Sequence, residues 1–298
     1  MSTSPSICLP QQFSGSAMPG FMAQLIEGSG GHLPSEISFD FSTLGFIRPS
    51  GVVFLSNLTR WLSRKGCRVF FIGLSPANDS HRYLDDSLFF EEHLGSKLNE
   101  FAQTRGTTLP LQQVKNSDSP MWVNNTLLPW VDSKTYVGLE SLHVFAVCIK
   151  EIFNNIWDHT DLDIGSIFAQ HFPKEDQIII SVADFGPGIP EVVRSKCPDL
   201  MDNAAIKKAI EDGFTTQTTP RNRGAGLDYL IDTVVLQNRG KVTIYSGTGM
   251  VSFSCQEPNK RLKAVGRAVE GFSPGTLFEI RLRTDTIEIC DSEEALEW

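Results

Sequence analysis

A chain of 298 residues is long enough to bury two cores, and 26 Lys and Arg against 35 Asp and Glu leave a formal net charge of −9. That balance argues against a broad phosphate-backbone footprint, which needs clustered cations, so no nucleic-acid partner is expected. No run approaches eighteen apolar residues and the Ser- and Pro-rich start lacks the charged-then-apolar order of a secretory signal, so no membrane span and a cytoplasmic location are expected. Cys8, Cys67, Cys148, Cys197, Cys255 and Cys290 are scattered without a C-x-x-C spacing, and read as reduced, mostly buried thiols rather than a zinc site or a disulfide framework.

In chain order, residues 1–33 are rich in Ser, Gly and Pro and are expected to be loosely ordered, with one docked turn over 21–26. Ile37, Phe39 and Phe41 then alternate with polar residues as in a half-buried strand. Val53, Leu55, Leu58 and Leu62 place a helix over 50–65, ended by Gly66. Residues 67–73 read as a buried strand, and Ser75-Pro76-Ala77-Asn78 opens a helical stretch toward Leu94. Strand, helix, strand, helix implies a small parallel sheet with helices against it.

Within this stretch, Phe46-Ile47-Arg48-Pro49-Ser50-Gly51 and Gly73-Leu74-Ser75-Pro76 resemble a STAS domain of the anti-sigma-antagonist kind, assigned to residues 34–95. In phosphorylated members of that family a serine pair precedes the glycine and its first serine is modified. Here Pro49 holds that place, Ser50 is second, and Arg48 replaces the usual acidic residue. The resemblance therefore implies a docking or scaffolding domain for a protein partner more than an active phosphorylation substrate. Residues 96–135 mix Thr, Gln, Asn, Ser and Pro with Trp122 and Trp130, and read as a packed linker.

From Leu142 the pattern turns helical again. Leu142, Phe145, Ile149, Ile152, Phe153 and Ile156 recur at three- and four-residue intervals, while Glu151, Asn155 and His159 form a polar stripe on the same helix. A carboxylate and an amide presented to a cavity suit a hard cation and a nucleotide, since Mg²⁺ takes one or two oxygens from a protein and the rest from phosphates and water. Asn154 and Asp158 read equally as solvent-facing or as supports of that stripe. His159 is placed behind a phosphate loop, and His143 reads as packing.

The apolar run 177–183 has strand length and ends at Asp184, after which Gly186 and Gly188 allow a sharp turn stiffened by Pro187 and Pro190. Residues 191–223 carry a helical stretch over 204–210 and then Thr, Gln, Pro and Arg with little apolar surface, the composition of a moving lid. Gly224-Ala225-Gly226-Leu227 opens a helix toward Leu236, with backbone amides available to phosphate oxygens. Residues 275–282 read as a closing strand with Thr276 at its start.

Taken in order, these pieces resemble the GHKL (histidine kinase-like) ATPase superfamily over residues 136–284. Glu151 and Asn155 match its first box, Asp184, Gly186 and Gly188 the first glycine box, Gly224 and Gly226 the second, and Gly275-Thr276 the last. The resemblance implies an α/β chain whose C-terminal part is a two-layer α/β sandwich, a mixed sheet with helices on one face. It implies ATP and Mg²⁺ as ligands: Asn155 as the metal ligand, Asp184 as acceptor of the adenine amine, residues 224–227 around the phosphates, Thr276 near the base, and Glu151 orienting or activating the attacking group. Residues 285–298 read as an acidic tail. Two function classes stay open, an ATP-dependent regulator acting as ATPase or protein kinase on a partner, and a noncatalytic ATP-binding interaction module. A homodimer is left open. No histidine followed by Glu or Asp lies on an upstream dimerisation helix, so an autophosphorylating sensor kinase is not expected.

Overall fold

The run Gln177–Ala183 lacks polar alternation, so as a strand it requires apolar cover on both faces. The computed structural model describes residues 5–28, 33–159, 164–211, 214 and 226–287, and supplies that cover from two directions. The N-terminal half contains β1 (Ser6–Cys8), β2 (Gln12–Phe13), α1 (Met18–Gly28), β3 (Glu36–Asp40), β4 (Phe46–Ile47), α2 (Pro49–Arg64), β5 (Arg68–Ile72), α3 (Asp79–Asp86) and α4 (Phe89–Leu94). The C-terminal half contains β6 (Thr108–Lys115), α5 (Ser119–Trp122), α6 (Leu128–Thr135), α7 (His143–His159), β7 (Ile164–Phe172), β8 (Gln177–Ala183), α8 (Ile189–Arg194), α9 (Asp202–Lys208), α10 (Gly226–Ile231), β9 (Lys241–Gln256) and β10 (Arg261–Arg283). π-helical turns cover Val123–Leu127 and Asp232–Gln237, the latter extending α10.

The larger sheet has the order β6-β7-β8-β10-β9, and a smaller parallel sheet the order β1-β3-β5. On one face of the larger sheet, Ile178, Ile180, Val182, Phe278 and Ile280 share a core with Phe145, Ile149, Ile152, Phe153 and Ile156 of α7 and Leu230 and Ile231 of α10. On the other face, Phe168, Ala183, Tyr245 and Leu277 join a core with Phe21 of α1, Phe54 and Leu58 of α2, and Phe39 of the small sheet. The α/β sandwich is therefore covered on its second face by α1 and α2, with the small parallel sheet outside them. Helix α2 lies between the two sheets, which is why Val52, Val53, Phe54, Leu55, Leu58 and Leu62 are all buried.

Several expectations are corrected. The segment read as loosely ordered forms β1, paired with β3, and α1, whose Met18, Phe21, Met22 and Leu25 are buried. Those four positions have the i, i+3, i+4, i+7 spacing of a helical stripe, which the Ser and Gly content obscured. The segment read as a linker contains β6, paired antiparallel with β7, and Val123, Leu127 and Val131 in the core under α7. The strand over 67–73 is not buried: β5 is an edge strand, with Phe70 and Ile72 exposed. Every neighbouring pair in the larger sheet is antiparallel, where a mixed sheet was expected. Of the five described cysteines, all free thiols, only Cys67 and Cys148 are buried.

A buried polar pair ties α2 to the larger sheet. Ser50 Oγ donates to Glu279 Oε2 on β10 at 2.7 Å and accepts from the Gly15 amide at 2.9 Å, and Arg281 holds the other carboxylate oxygen of Glu279 at 2.7 Å. Ser50 has no exposed surface and Glu279 almost none. Ser50→Ala strands a buried N–H and half of a buried carboxylate, and should cost about 1–3 kcal/mol of unfolding free energy. Urea denaturation checks this, and a loss under about 0.5 kcal/mol, the range of an ordinary surface substitution, would show that the pair does not couple the layers.

Candidate functional site

The polar stripe of α7 sits at the margin of its apolar face. Glu151 and Asn155 are half-buried between the buried Ile152 and Ile156 and the exposed Asn154. Asn154 Nδ2 donates to Glu151 Oε2 at 3.2 Å. The side-chain amide of Asn155 has no hydrogen-bond partner among the described residues, and its carbonyl oxygen is of the type that ligates a hard cation. Gly226 opens α10 directly against Glu151. A Cβ at Gly226 would overlap Cγ of Glu151 and come within 2.7 Å of its Oε1, so this contact between α7 and α10 requires glycine. Leu227 is partly buried and packs against the core under α7. Gly224 and Ala225 lie outside the described residues.

Asp184 directly follows β8 and is held by backbone contacts. Its amide donates to the Thr276 carbonyl at 3.0 Å, and its Oδ1 accepts from the Gly186 amide at 2.6 Å. Gly275, at φ +64°, passes so close that an added Cβ would lie 2.7 Å from Asp184 Oδ1, a second position that only glycine fills. Thr276 is buried and stands opposite Ser246 on β9, with the two hydroxyls 3.2 Å apart. Gly188 turns the chain at φ +81° into α8.

Burial dominates the titration of Asp184. It lifts the carboxyl from its ordinary 3.8 to about 6, against the opposing effect of the Gly186 and Thr276 backbone hydrogen bonds. A desolvated carboxylate that accepts from the Gly186 amide keeps lone pairs available for an incoming N–H, the chemistry an exocyclic amine requires.

The expected site residues thus come together as two pairs, Glu151 with Gly226 and Asp184 with Gly275-Thr276. Residues 212–213 and 215–223, including Arg221 and Arg223, lie outside the described residues. The first part of the segment read as a lid is docked: Ala205 and Ile206 of α9 are buried, and Asp202 accepts from the Thr248 amide at 2.7 Å and from its hydroxyl at 2.9 Å. His143, read as packing, is exposed at the start of α7, and the side chains of Asp158 and His159 lie outside the described residues. Among the described residues no group of three or more His, Cys, Asp or Glu could hold a metal ion. A cation held by one amide oxygen, phosphates and water needs no such group.

Two supporting residues escaped the sequence reading. Ser246 Oγ donates to the Gly275 carbonyl at 2.6 Å and accepts from the Ile189 amide at 3.1 Å, joining the two glycine turns around Asp184. Asn57 of α2 donates to the carbonyl of Ala183, the residue before Asp184, at 3.0 Å, and its Oδ1 accepts from Ser166 Oγ. The only signal for Asn57 was an amide inside the apolar run 52–58, which a buried helix tolerates only when the amide is paired.

No family model matches this chain, and no curated protein matches it. Among solved structures, the chain is similar to the 43K ATPase domain of Thermus thermophilus gyrase B in complex with an aminocoumarin, at 17% identity over 60% of this chain and 43% of that one, with a TM-score of 0.25. The match spans less than half of that neighbour's length, and a likeness of this degree carries neither function nor site residues over to this chain.

The raised pKa of Asp184 makes a stability prediction with a definite sign. The native state holds the proton more tightly than the unfolded chain, so this stabilisation is complete below about pH 3.8 and is lost as pH rises through about 6. Asp184→Asn keeps an oxygen for the Gly186 amide and carries no charge to desolvate. At pH 8 it should be more stable than wild type by on the order of 2 kcal/mol, with the gap closing toward pH 5. Urea midpoints at pH 5, 6.5 and 8 test this, and a gap independent of pH would remove Asp184 as its source.

Proposed function

We propose that this chain is an ATP-binding regulatory protein of the GHKL kind that binds ATP with Mg²⁺ and hydrolyses it or passes its terminal phosphoryl group to a protein partner. The observation that carries this reading is the buried carboxylate of Asp184, fixed by the Gly186 and Thr276 backbones with a raised pKa. Apolar burial of an Asp is costly, and a site that takes up a nucleobase amine gives that burial a purpose. The pairing of Glu151 with Gly226 supports it from the other end.

In this reading Asp184 accepts the adenine amine, and Thr276 stands behind it with its hydroxyl beside Ser246. Asn155 supplies an oxygen to Mg²⁺, whose role when bound is to neutralise charge on the phosphates. Residues 224–227 meet the phosphates. Glu151, one helical turn before Asn155, orients the attacking water or hydroxyl and holds its proton. The N-terminal half, STAS-like by its motifs, is the partner-facing domain, and its attachment through α2 would let nucleotide state reach it.

Calorimetry with a nonhydrolysable ATP analogue and phosphate release on the same samples test the reading. Asp184→Asn places a donor opposite the amine donor and should weaken binding by a few kcal/mol while leaving the fold intact. Asn155→Ala should remove most of the affinity that Mg²⁺ adds and spare adenosine. Glu151→Ala should bind ATP normally and lose about 10²–10⁴-fold in turnover. Near-wild-type affinity in Asp184→Asn would sink the adenine assignment. Normal binding and partner engagement by Glu151→Ala, with no turnover in wild type, would leave a noncatalytic nucleotide-binding module.

A further inference from the structure

The face of the larger sheet away from α7 carries a cavity of about 40 Å³ between α2 and the row formed by Gln113 of β6, Ser166 of β7 and Ala183 of β8. Arg60 and Arg64, one helical turn apart on α2, line it together with Trp61 and Phe185, whose ring centroids are 6.3 Å apart. Gln113 adds a side-chain amide, and Asn57, whose own amide meets the Ala183 carbonyl and Ser166, completes the lining. We propose that this cavity is a second binding site, separate from the face that carries Glu151 and Asn155, and that it takes a small oxyanion of phosphate size.

Three observations carry the assignment. Arg64 pairs with no carboxylate among the described residues, whereas the neighbouring Arg60 pairs with Glu92. Arg60 also leaves its Nε–H, which is buried, without an acceptor, and an orphaned charged donor beside a cavity calls for an oxygen. The two guanidinium groups repel each other: burial first, and Arg64 second, push Arg60 below its ordinary range, and an anion between them would relieve both effects. Space for roughly three waters, at 10–15 Å³ each, matches one tetrahedral oxyanion. Guanidinium forks with amide donors are the usual means of holding such a group.

Asp184 also lines the cavity. Its Oδ1 accepts from the Gly186 amide and lies against the Gly275 turn, and neither Arg60 nor Arg64 is among the groups that shift its titration. The inference does not rest on ATP binding, because none of its donors belongs to the proposed nucleotide site.

The test is a titration of the full chain with inorganic phosphate at constant chloride, read by calorimetry and by tryptophan fluorescence, with acetate as a second anion. Wild type should bind phosphate saturably and acetate more weakly. Arg64→Gln, at an exposed position, should keep the wild-type urea midpoint and weaken phosphate at least about tenfold, the loss of one charge-assisted hydrogen bond of about 1.5 kcal/mol or more. Arg60→Gln should weaken it similarly, and Trp61→Phe should abolish the fluorescence change while preserving the heat. Asn155→Ala should leave phosphate binding intact. The proposal is overturned if wild type shows no saturable binding, if Arg64→Gln binds as wild type does, or if Asn155→Ala rather than Arg64→Gln abolishes binding, which would place the phosphate at the nucleotide site.

Discussion

The burial of β8 and of residues 275–280 of β10 on both faces is the constraint on which the rest of this structure depends. Antiparallel sheets commonly leave one face to solvent and reveal it by alternation. Here Ile178 to Ala183 and Leu277 to Ile280 are all buried, so the sheet cannot stand with helices on one side alone. Helices α7 and α10 cover one face, and α1 and α2 must cover the other. The N-terminal half is therefore part of the sheet's second core, and its removal would expose Phe168, Tyr245 and Leu277 together.

Two polar contacts, one buried and one half-buried, fix the position of α2 on that face. Apolar packing alone is tolerant of sliding, whereas Ser50 against Glu279 and Asn57 against Ala183 each admit a single register. The second contact ends one residue before Asp184. The same loop is held from the opposite side by Ser246, through the Gly275 carbonyl and the Ile189 amide. A carboxylate whose charged form is penalised by burial stays in place only when the surrounding backbone is over-determined, and these contacts over-determine it.

Much of this was legible in the sequence, for identifiable reasons. Helix α7 showed in its 3.6-residue apolar spacing, β8 in its isoleucine run, and β3, α2 and β5 in alternation, periodicity and a terminal glycine. The pairs around Asp184 and Glu151 were signalled by glycines at Gly275 and Gly226, which the structure explains by close approach to each carboxylate. What stayed hidden were features set by tertiary partners. Strand β6 has a register shift between Leu109 and Gln112 that breaks its alternation, and α1 carries its apolar stripe among Ser and Gly residues. Ser246 and Asn57 could not be found from pattern alone, because their role lies in which backbone groups they meet.

The exposed side of the small sheet follows from the same constraint. Once α1 and α2 are committed to the larger sheet, only one face of β1-β3-β5 is covered, and Phe70 and Ile72 of the edge strand β5 remain in solvent. A strand with an unpaired edge is kept from further pairing by length and charge, and β5 is short and begins at Arg68, which is paired with Glu36 on β3. Between that surface and Asp184 lies α2, whose polar ties to the larger sheet among the described residues are Ser50 at its start and Asn57 at its centre.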